Sequence, residues 1–295
     1  MDPITQQVVL AAAAGTSAAA DATYVDDVFS TYVYEGNGSA RTITNGIDLS
    51  GKGGLVWLKS RTNSEYHALA DTERGANKIL HSNETDPEFT TNTNIITGFS
   101  SNGFSVGTDN MSNSSLQDYV SWSFRKAPGF FDVVTYTGNG SNPRTISHSL
   151  GSKPGMILVK TSSGTAEWHV YHQSQGATKY GTLNENYVFV TNSNRWGDTE
   201  PTSTEFTVDV QANVDESTYV AYLFAHDDQS FGTNGDESII KCGTYEGNGG
   251  TLEVDLGFEP QWLMIKNIDS ASDQYGDADW TVYDMMRGFN DQDSK

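Results

Sequence analysis

The chain has 295 residues, of which 36% are hydrophobic and 11% aromatic, so it can bury substantial cores, which weighs against wholesale disorder. Its 17 Lys and Arg against 38 Asp and Glu give a net charge of 17 − 38 = −21 with no basic cluster, and we therefore expect no nucleic-acid partner. The single cysteine, Cys242, excludes an internal disulfide framework, and no apolar run approaches the ~20 residues that cross a bilayer, so no membrane insertion is expected.

The first element, residues 1–24, is predicted to be a docking peptide, helical or extended, followed by a small-residue linker. Its apolar run at 8–14 lacks the preceding Lys or Arg of a secretory signal. A helix this short is marginal in water, so we expect a partner to order it. A cryptic signal peptide and plain disorder remain alternatives. The predicted docking residues are Ile4, Val8, Val9 and Leu10.

A repeated motif then divides the chain. Tyr-x-Gly-Asn-Gly begins at Tyr34, Tyr136 and Tyr245, and the first glycines are 138 − 36 = 102 and 247 − 138 = 109 residues apart. Self-similarity at a fixed period predicts repeated structural units. We predict two units of about 100 residues and a partial third. Their bounds are 25–130 (first unit), 131–230 (second unit) and 236–295 (third unit).

Each unit carries an apolar run that ends in lysine, at 55–59, 156–160 and 262–266, which is typical of a strand buried on both faces. The first two units close with alternating aromatic strands at 119–124 and 219–224. Asn-Gly pairs, among them Asn37-Gly38, Asn102-Gly103 and Asn139-Gly140, predict tight hairpins. The fold class is therefore all-β, with tandem β-sandwich or jelly-roll-like repeats behind the N-terminal anchor.

The third unit lacks the closing aromatic strand before Lys295. A sandwich without that strand exposes an unpaired edge. We expect either that the sequence is a portion of a longer chain or that a partner completes this sheet.

Two patterns are candidate ligand contacts. Asp71 and Arg74 precede a glycine and recur in 284–287, but His172 and Gln175 replace them in the second unit. The pair could hold a polar ligand or fix a loop, and its replacement favours the loop.

Trp196, with Arg195, lies in the polar stretch 192–198 and is the best candidate for an exposed tryptophan on which a sugar ring could stack, although a role without ligand contact is favoured even there. Packing in the core is predicted instead for the tryptophans of the repeated strands, Trp57, Trp122 and Trp262.

No catalytic, cofactor or metal site is predicted. His169 and His172 are three apart in a strand-like stretch, which places them on opposite faces. No nucleophile elbow is present. A weak cation site in the acidic group between Asp269 and Asp279, and a carboxylate pair of glycosidase type, stay open. We expect a protein that is not an enzyme.

The segments 131–140, 153–160 and 219–224, together with 24–29 and 123–130, resemble virion structural, fibre-like proteins of tailed phages that infect marine bacteria and cyanobacteria. The resemblance implies a tail fibre on the virion surface, anchored through its N-terminus and carrying host-surface glycan recognition. It implies a homotrimer and virion partners such as a tail adaptor, nozzle or baseplate protein. The alternatives are a head fibre or decoration protein, or a non-viral array of carbohydrate-binding modules.

Overall fold

The computed structural model describes residues 22–269 and 279–288, and within them the protein is all-β, as predicted. Two single-turn helices, α1 (Val25–Val28) and α2 (Leu49–Lys52), are the helices of this described part. Every strand pairing is antiparallel where it is described. The predicted docking residues Ile4, Val8, Val9 and Leu10 lie outside the described residues.

The first unit is a sandwich of two sheets. One sheet has the order β1-β7-β3-β4 and the other the order β2-β6-β5. Their facing side chains form a core in which Val56 of β3 and Phe104 of β6 are fully buried. The strands are β1 (Phe29–Glu35), β2 (Arg41–Thr44), β3 (Gly54–Ser60), β4 (Ala68–Asp71), β5 (Ile96–Ser100), β6 (Gly103–Val106) and β7 (Asp118–Arg125).

The second unit has a sheet of order β13-β12-β11-β10-β15-β8 facing the pair β14-β9. Its part β8-β15-β10-β11 has the same strand order as β1-β7-β3-β4 of the first unit. The strands are β8 (Phe131–Thr137), β9 (Arg144–Ser147), β10 (Pro154–Thr161), β11 (His169–His172), β12 (Lys179–Thr182), β13 (Val190–Thr191), β14 (Glu205–Val208) and β15 (Thr218–Ala225). Whether each unit folds on its own stays a prediction.

The Gly-Asn-Gly loops do not form the tight hairpins predicted at Asn37-Gly38 and Asn139-Gly140. The strand before the first loop, β1, pairs with β7, whereas the strand after it, β2, pairs with β6. The loop therefore crosses between the two sheets. Gly36 is required because a Cβ there would clash with the carbonyl oxygen of Ser114. A tight hairpin is confirmed at Asn102-Gly103, since Ser100 pairs with Gly103 and residues 101 and 102 form the two-residue loop between β5 and β6.

The third unit contributes only β16 (Trp262–Ile265) and β17 (Thr281–Asp284) to the described strands, and these two pair with each other. Residues 238–260 contain no strand.

A second hydrophobic core is shared by all three units. Phe124 of β7 lies at its centre, with ring centroids 5.4 Å from Phe224 of the second unit and 5.5 Å from Trp262 of the third. Trp57 and Trp122 are 2% and 1% exposed in this core, as predicted. The aromatic alternation of β7 and β15 thus directs one face of each sheet into this common interior.

Candidate functional site

The predicted pair Asp71 and Arg74 lies in the interior at the end of β4. The Arg74 Nε donates to Asp71 Oδ2 over 2.6 Å, and the Arg74 backbone N–H donates to Asp71 Oδ1 over 2.8 Å. The two side chains are 0% (Asp71) and 4% (Arg74) exposed. The pair therefore closes the turn that follows β4, which is the structural role that the sequence favoured.

This ion pair is completed by the second unit. The Tyr222 hydroxyl donates to Asp71 Oδ2 over 2.8 Å, and Arg74 Nη2 lies 3.1 Å from the same hydroxyl. Arg74 Nη1 reaches Glu88 at 3.0 Å. Burial opposes the charge of Arg74, but Tyr222, Asp71 and Glu88 outweigh it and raise the pKa of the guanidinium. A buried charge pair needs such additional hydrogen bonds, and here side chains of the protein supply them.

The same arrangement recurs in the third unit with a different donor. Arg287 Nε lies 2.5 Å from Asp284 Oδ2, and Trp122 Nε1 of the first unit donates to that oxygen over 3.1 Å. The Arg287 guanidinium also lies over the Trp122 ring, 5.2 Å from its centroid. Trp122 and Tyr222 occupy matching positions, because they pair with Trp57 of β3 and Leu158 of β10.

A second set of contacts joins the units through backbone carbonyls. Trp168 Nε1 of the second unit donates to the carbonyl of His81 in the first over 2.9 Å. Trp280 Nε1 of the third unit donates to the carbonyl of Thr182 in the second over 2.9 Å. Lys160, fully buried, donates to the carbonyl of Thr85 over 3.1 Å, and burial lowers its pKa to about 8.

Three of these hydrogen bonds link the units in turn: the second unit donates to the first, the third donates to the second, and the first donates to the third. Arg74 of the first unit also donates to Tyr222 of the second, so each pair of units is linked but not in one donor direction. We call the participating side chains the interlock; they are Asp71, Arg74, Trp122, Lys160, Trp168, Tyr222, Trp280, Asp284 and Arg287. The interlock holds three separate stretches of the chain in a fixed mutual position, which is the property that a rigid scaffold requires.

The prediction that Trp196 is exposed is wrong. Its side chain is 2% exposed and its ring lies 6.0 Å from that of Tyr171. The polar stretch 192–198 folds back over the second unit's own core, so its tryptophan packs inward while most of its polar residues face outward. Sequence pattern could not show this, because a turn that covers a core has the same polar composition as an exposed loop.

Arg195 is also buried, at 5% exposure. Its Nε donates to His169 Nδ1 over 3.2 Å, and its guanidinium lies 4.1 Å from the centroid of the Tyr180 ring. Burial lowers the pKa of Arg195, against the opposing effects of Tyr180 and Glu167. Trp196 and Arg195, the two residues of the predicted sugar platform, are therefore both buried, and neither contacts Asp71 or Arg74.

A polar cleft of about 260 Å³ lies between the first and second units. Lys126 Nζ occupies it, 2.8 Å from Glu73 and 3.2 Å from Asp132. His148 also lines the cleft, and burial lowers its pKa. The cleft offers hydrogen-bonding groups of the kind that bind hydroxyls, but its lining contains no Trp, Tyr or Phe on which a sugar ring could stack.

Across residues 22–269 and 279–288, no three His, Cys, Asp or Glu side chains are grouped so as to hold a metal ion. No helix in that part of the chain is long and apolar enough to span a membrane.

Sequence reasoning identified the interlock only in part. It singled out Asp71–Arg74 and their counterparts Asp284–Arg287, but it missed Tyr222 and Trp122 as their neighbours in space. The available signal was the repeat spacing. The donors Trp122 and Tyr222 are 222 − 122 = 100 residues apart, and the acceptors His81 and Thr182 are 182 − 81 = 101 residues apart.

The family model for a domain of unknown function, DUF7483, matches residues 25–294, and the chain therefore belongs to that family. No curated protein and no solved structure matches the sequence.

Proposed function

We propose that this member of the DUF7483 family is a structural component of a tailed phage virion, a tail fibre that is anchored through residues 1–24 and recognises a host-surface glycan. The observation that supports the proposal is the interlock. A fibre must keep its receptor-binding part at a fixed distance from the particle, and the contacts of the interlock among the three units provide that rigidity. The family resemblance of the repeated segments supplies the virion context.

The acidic composition agrees with this role. A net charge of −21 keeps copies of a chain apart and soluble at the high local concentration of a particle surface. Fold alone does not assign function, so the proposal depends on where the protein is located.

The first experiment locates the protein. Tailed particles whose genome encodes the chain are purified, and an antibody raised against residues 25–288 is visualised on them by electron microscopy. Label at the tail supports the proposal, and label on the head would identify the protein as a head fibre or decoration protein. Particles that carry no label while the free protein accumulates in the lysate would refute both roles.

The second experiment tests the anchor. Deleting residues 2–20 removes Ile4, Val8, Val9 and Leu10, whose burial would stabilise docking by about 1.5–3 kcal/mol per side chain before ordering costs. We expect particle incorporation to be lost while the melting temperature of the β units stays unchanged. Normal incorporation of the truncated protein would show that the units themselves carry the attachment surface.

Glycan recognition and trimer formation are tested in solution. Light scattering of the full chain should give three times the mass of 32.1 kDa, and a host-surface polysaccharide should bind it without releasing reducing ends. A monomer that binds glycans and is absent from particles would instead favour the array of carbohydrate-binding modules.

A further inference from the structure

The turn that follows β11 is closed by a histidine, whereas the matching turns of the other two units are closed by an aspartate. Asp71 and Asp284 each accept from the backbone N–H group three residues further on. In the second unit His172 takes that position, and its Nδ1 accepts from the backbone N–H of Ser174 over 3.3 Å. A neutral imidazole nitrogen is an acceptor like a carboxylate oxygen, but it becomes a donor when it binds a proton. The second unit therefore has a turn whose closing acceptor is lost where histidine titrates.

A second histidine holds the beginning of the third unit. Nδ1 of His226, which follows β15, accepts from the backbone N–H of Cys242 over 3.1 Å. Two further hydrogen bonds fix the same segment. The backbone N–H of Asp227 donates to the carbonyl of Ile240 over 2.8 Å, and Gln173 Nε2 donates to the carbonyl of Cys242 over 2.7 Å. The third unit is thus attached to the second beside two imidazoles.

The backbones approach closely at this point. A Cβ on Gly155 of β10 would lie 2.7 Å from the Cβ of His226 and 2.8 Å from the Cβ of Cys242. Ile240 packs against both the shared core and the second unit's own core. We call His172, His226 and the segment 240–242 the histidine contact. Its opening would uncover apolar side chains of two cores.

Both imidazoles are kept neutral by their surroundings. Burial, together with the neighbouring His226, lowers the pKa of His172 to about 4. Burial also lowers the pKa of His226, an effect that Asp227 opposes and Lys241 strengthens. In an opened segment a histidine titrates near about 6.5. Below that pH the open state binds more protons than the closed one, so a fall in pH favours opening.

We propose that the histidine contact is an acid-sensitive switch, in which protonation of His172 and His226 releases residues 240–242 from the second unit. Protonation removes the two Nδ1 acceptors and places two positive charges side by side. The closed form is fully favoured above about pH 6.5 and is lost as the pH falls towards about 4, the folded value for His172. Each histidine raises the ratio of open to closed forms by up to about tenfold per pH unit in that window. The switch does not depend on where the protein is located.

Hydrogen exchange of the full chain, measured by mass spectrometry, reports the opening. The exchange rates of amides 239–243 are measured at pH 6.5, 5.5 and 4.5. Each rate is divided by that of the urea-unfolded chain at the same pH, because acid slows the chemical step itself. We expect protection at 239–243 to fall at least about tenfold between pH 6.5 and 4.5. Amides 219–224 of β15 should stay protected.

The test variant is the double substitution His172→Asn/His226→Asn. Each amide oxygen takes the place of Nδ1 as an acceptor and does not titrate, so protection at 239–243 should no longer depend on pH. The matched control is His148→Asn. Nδ1 of His148 also accepts a backbone N–H two residues further on, that of Leu150 over 3.2 Å, but it lines the cleft towards the first unit. This control should keep the full fall in protection.

Cys242 provides a second measurement that needs no substitution. Its Sγ lies 3.6 Å from the carbonyl oxygen of Ala225, and burial raises the pKa of the thiol to about 12. The thiol is labelled with 4,4′-dithiodipyridine, which reacts with thiols in acid as well as at neutral pH. The rate relative to that of the urea-unfolded chain should rise at least about tenfold between pH 6.5 and 4.5.

An equal fall in protection in the double variant would overturn the proposal. Labelling of Cys242 that does not change with pH in the unmodified chain would overturn it as well, even if the double variant does not fold. A parallel loss of protection at 219–224 would do the same, because the whole second unit would then be unfolding and not the histidine contact alone.

Discussion

The hydroxyl of Tyr222 lies 2.8 Å from Oδ2 of Asp71, so a strand of the second unit hydrogen-bonds to a carboxylate of the first across 151 residues of sequence. The carboxylate is fully buried. It accepts from a tyrosine and an arginine at once, and its desolvation is thereby offset. A hydrogen bond to a buried charge thus contributes to the contact between the first and second units.

Tyr222→Phe should weaken that contact. Loss of a hydrogen bond to a charged group costs about 1.5–3 kcal/mol, against about 0.5–1.5 for a neutral one. The control is Tyr136→Phe, which removes a hydroxyl that donates to the carbonyl of Ala212 within the second unit. Urea unfolding of both variants should show the larger loss for Tyr222→Phe. Equal losses would mean that the carboxylate contributes no more than a carbonyl.

Removing one partner of the ion pair Asp71–Arg74 should lower the free energy of unfolding more than replacing both partners. Arg74→Gln leaves the Asp71 carboxylate buried without its cationic partner, which costs about 3–5 kcal/mol. The second unit holds His172 and Gln175 at the equivalent positions. The double variant Asp71→His/Arg74→Gln copies that arrangement and should recover part of the loss in the free energy of unfolding. A double variant less stable than Arg74→Gln would contradict this expectation.

Acid should destabilise the second unit through His169. Burial, together with the charge of Arg195, lowers the pKa of His169 to about 3, whereas an unfolded histidine titrates near about 6.5. Between these values the unfolded state binds more protons, so stability present above about pH 6.5 falls as the pH is lowered. The slope is about 1.4 kcal/mol per pH unit for this one group.

The matched variant is His169→Gln, whose amide oxygen can still accept from Arg195. Urea unfolding is monitored by tryptophan fluorescence at pH 7, 6 and 5. The free energy of unfolding of the variant should depend less steeply on pH than that of the unmodified protein, by about that slope. An unchanged slope would show that folding does not lower the pKa of His169.

Trp196→Ala should act on stability and not on ligand binding. The side chain is 2% exposed, and truncation of a buried tryptophan costs about 3–5 kcal/mol. Tyr187→Ala is the control, because Tyr187 is 52% exposed and its removal should change the melting temperature little. A Trp196→Ala protein that stays stable but no longer binds host polysaccharide would restore the sugar-platform interpretation.

Repetition in the sequence predicted the all-β class and the buried strands around Trp57 and Leu158, because a short continuous apolar run between polar turns is typical of a strand covered on both faces. It could not predict which strands become neighbours. Tyr-x-Gly-Asn-Gly suggested a hairpin between β1 and β2, but β1 pairs with a strand that begins at Asp118. The identity of a strand's partner depends on the closing of long loops, and that information is not local to the motif.

The candidate site shows the same limit. Asp71 and Arg74 could be singled out in the sequence because an Asp and an Arg three residues apart before a glycine form a recognisable local pattern. For Tyr222 and Trp122 the sequence predicted only core packing in alternating strands, and it gave no sign of their hydrogen bonds to the carboxylates. Only the folded chain brings the two kinds of residue within hydrogen-bonding distance.

The central position of the last strand has a consequence for synthesis. As the chain emerges from the ribosome, β1 appears first, yet β7, the strand with which it pairs in the described part of the chain, follows after nearly the whole unit has been made. The strand Phe29 to Glu35 therefore stays unpaired until β7 has been made. Translation of the intervening residues, about 90, takes several seconds at about 5–20 residues per second, and the nascent unit can mispair during that time. Slow codons placed after residue 130 would lengthen the interval before the second unit competes for the same partners, and should raise the soluble yield.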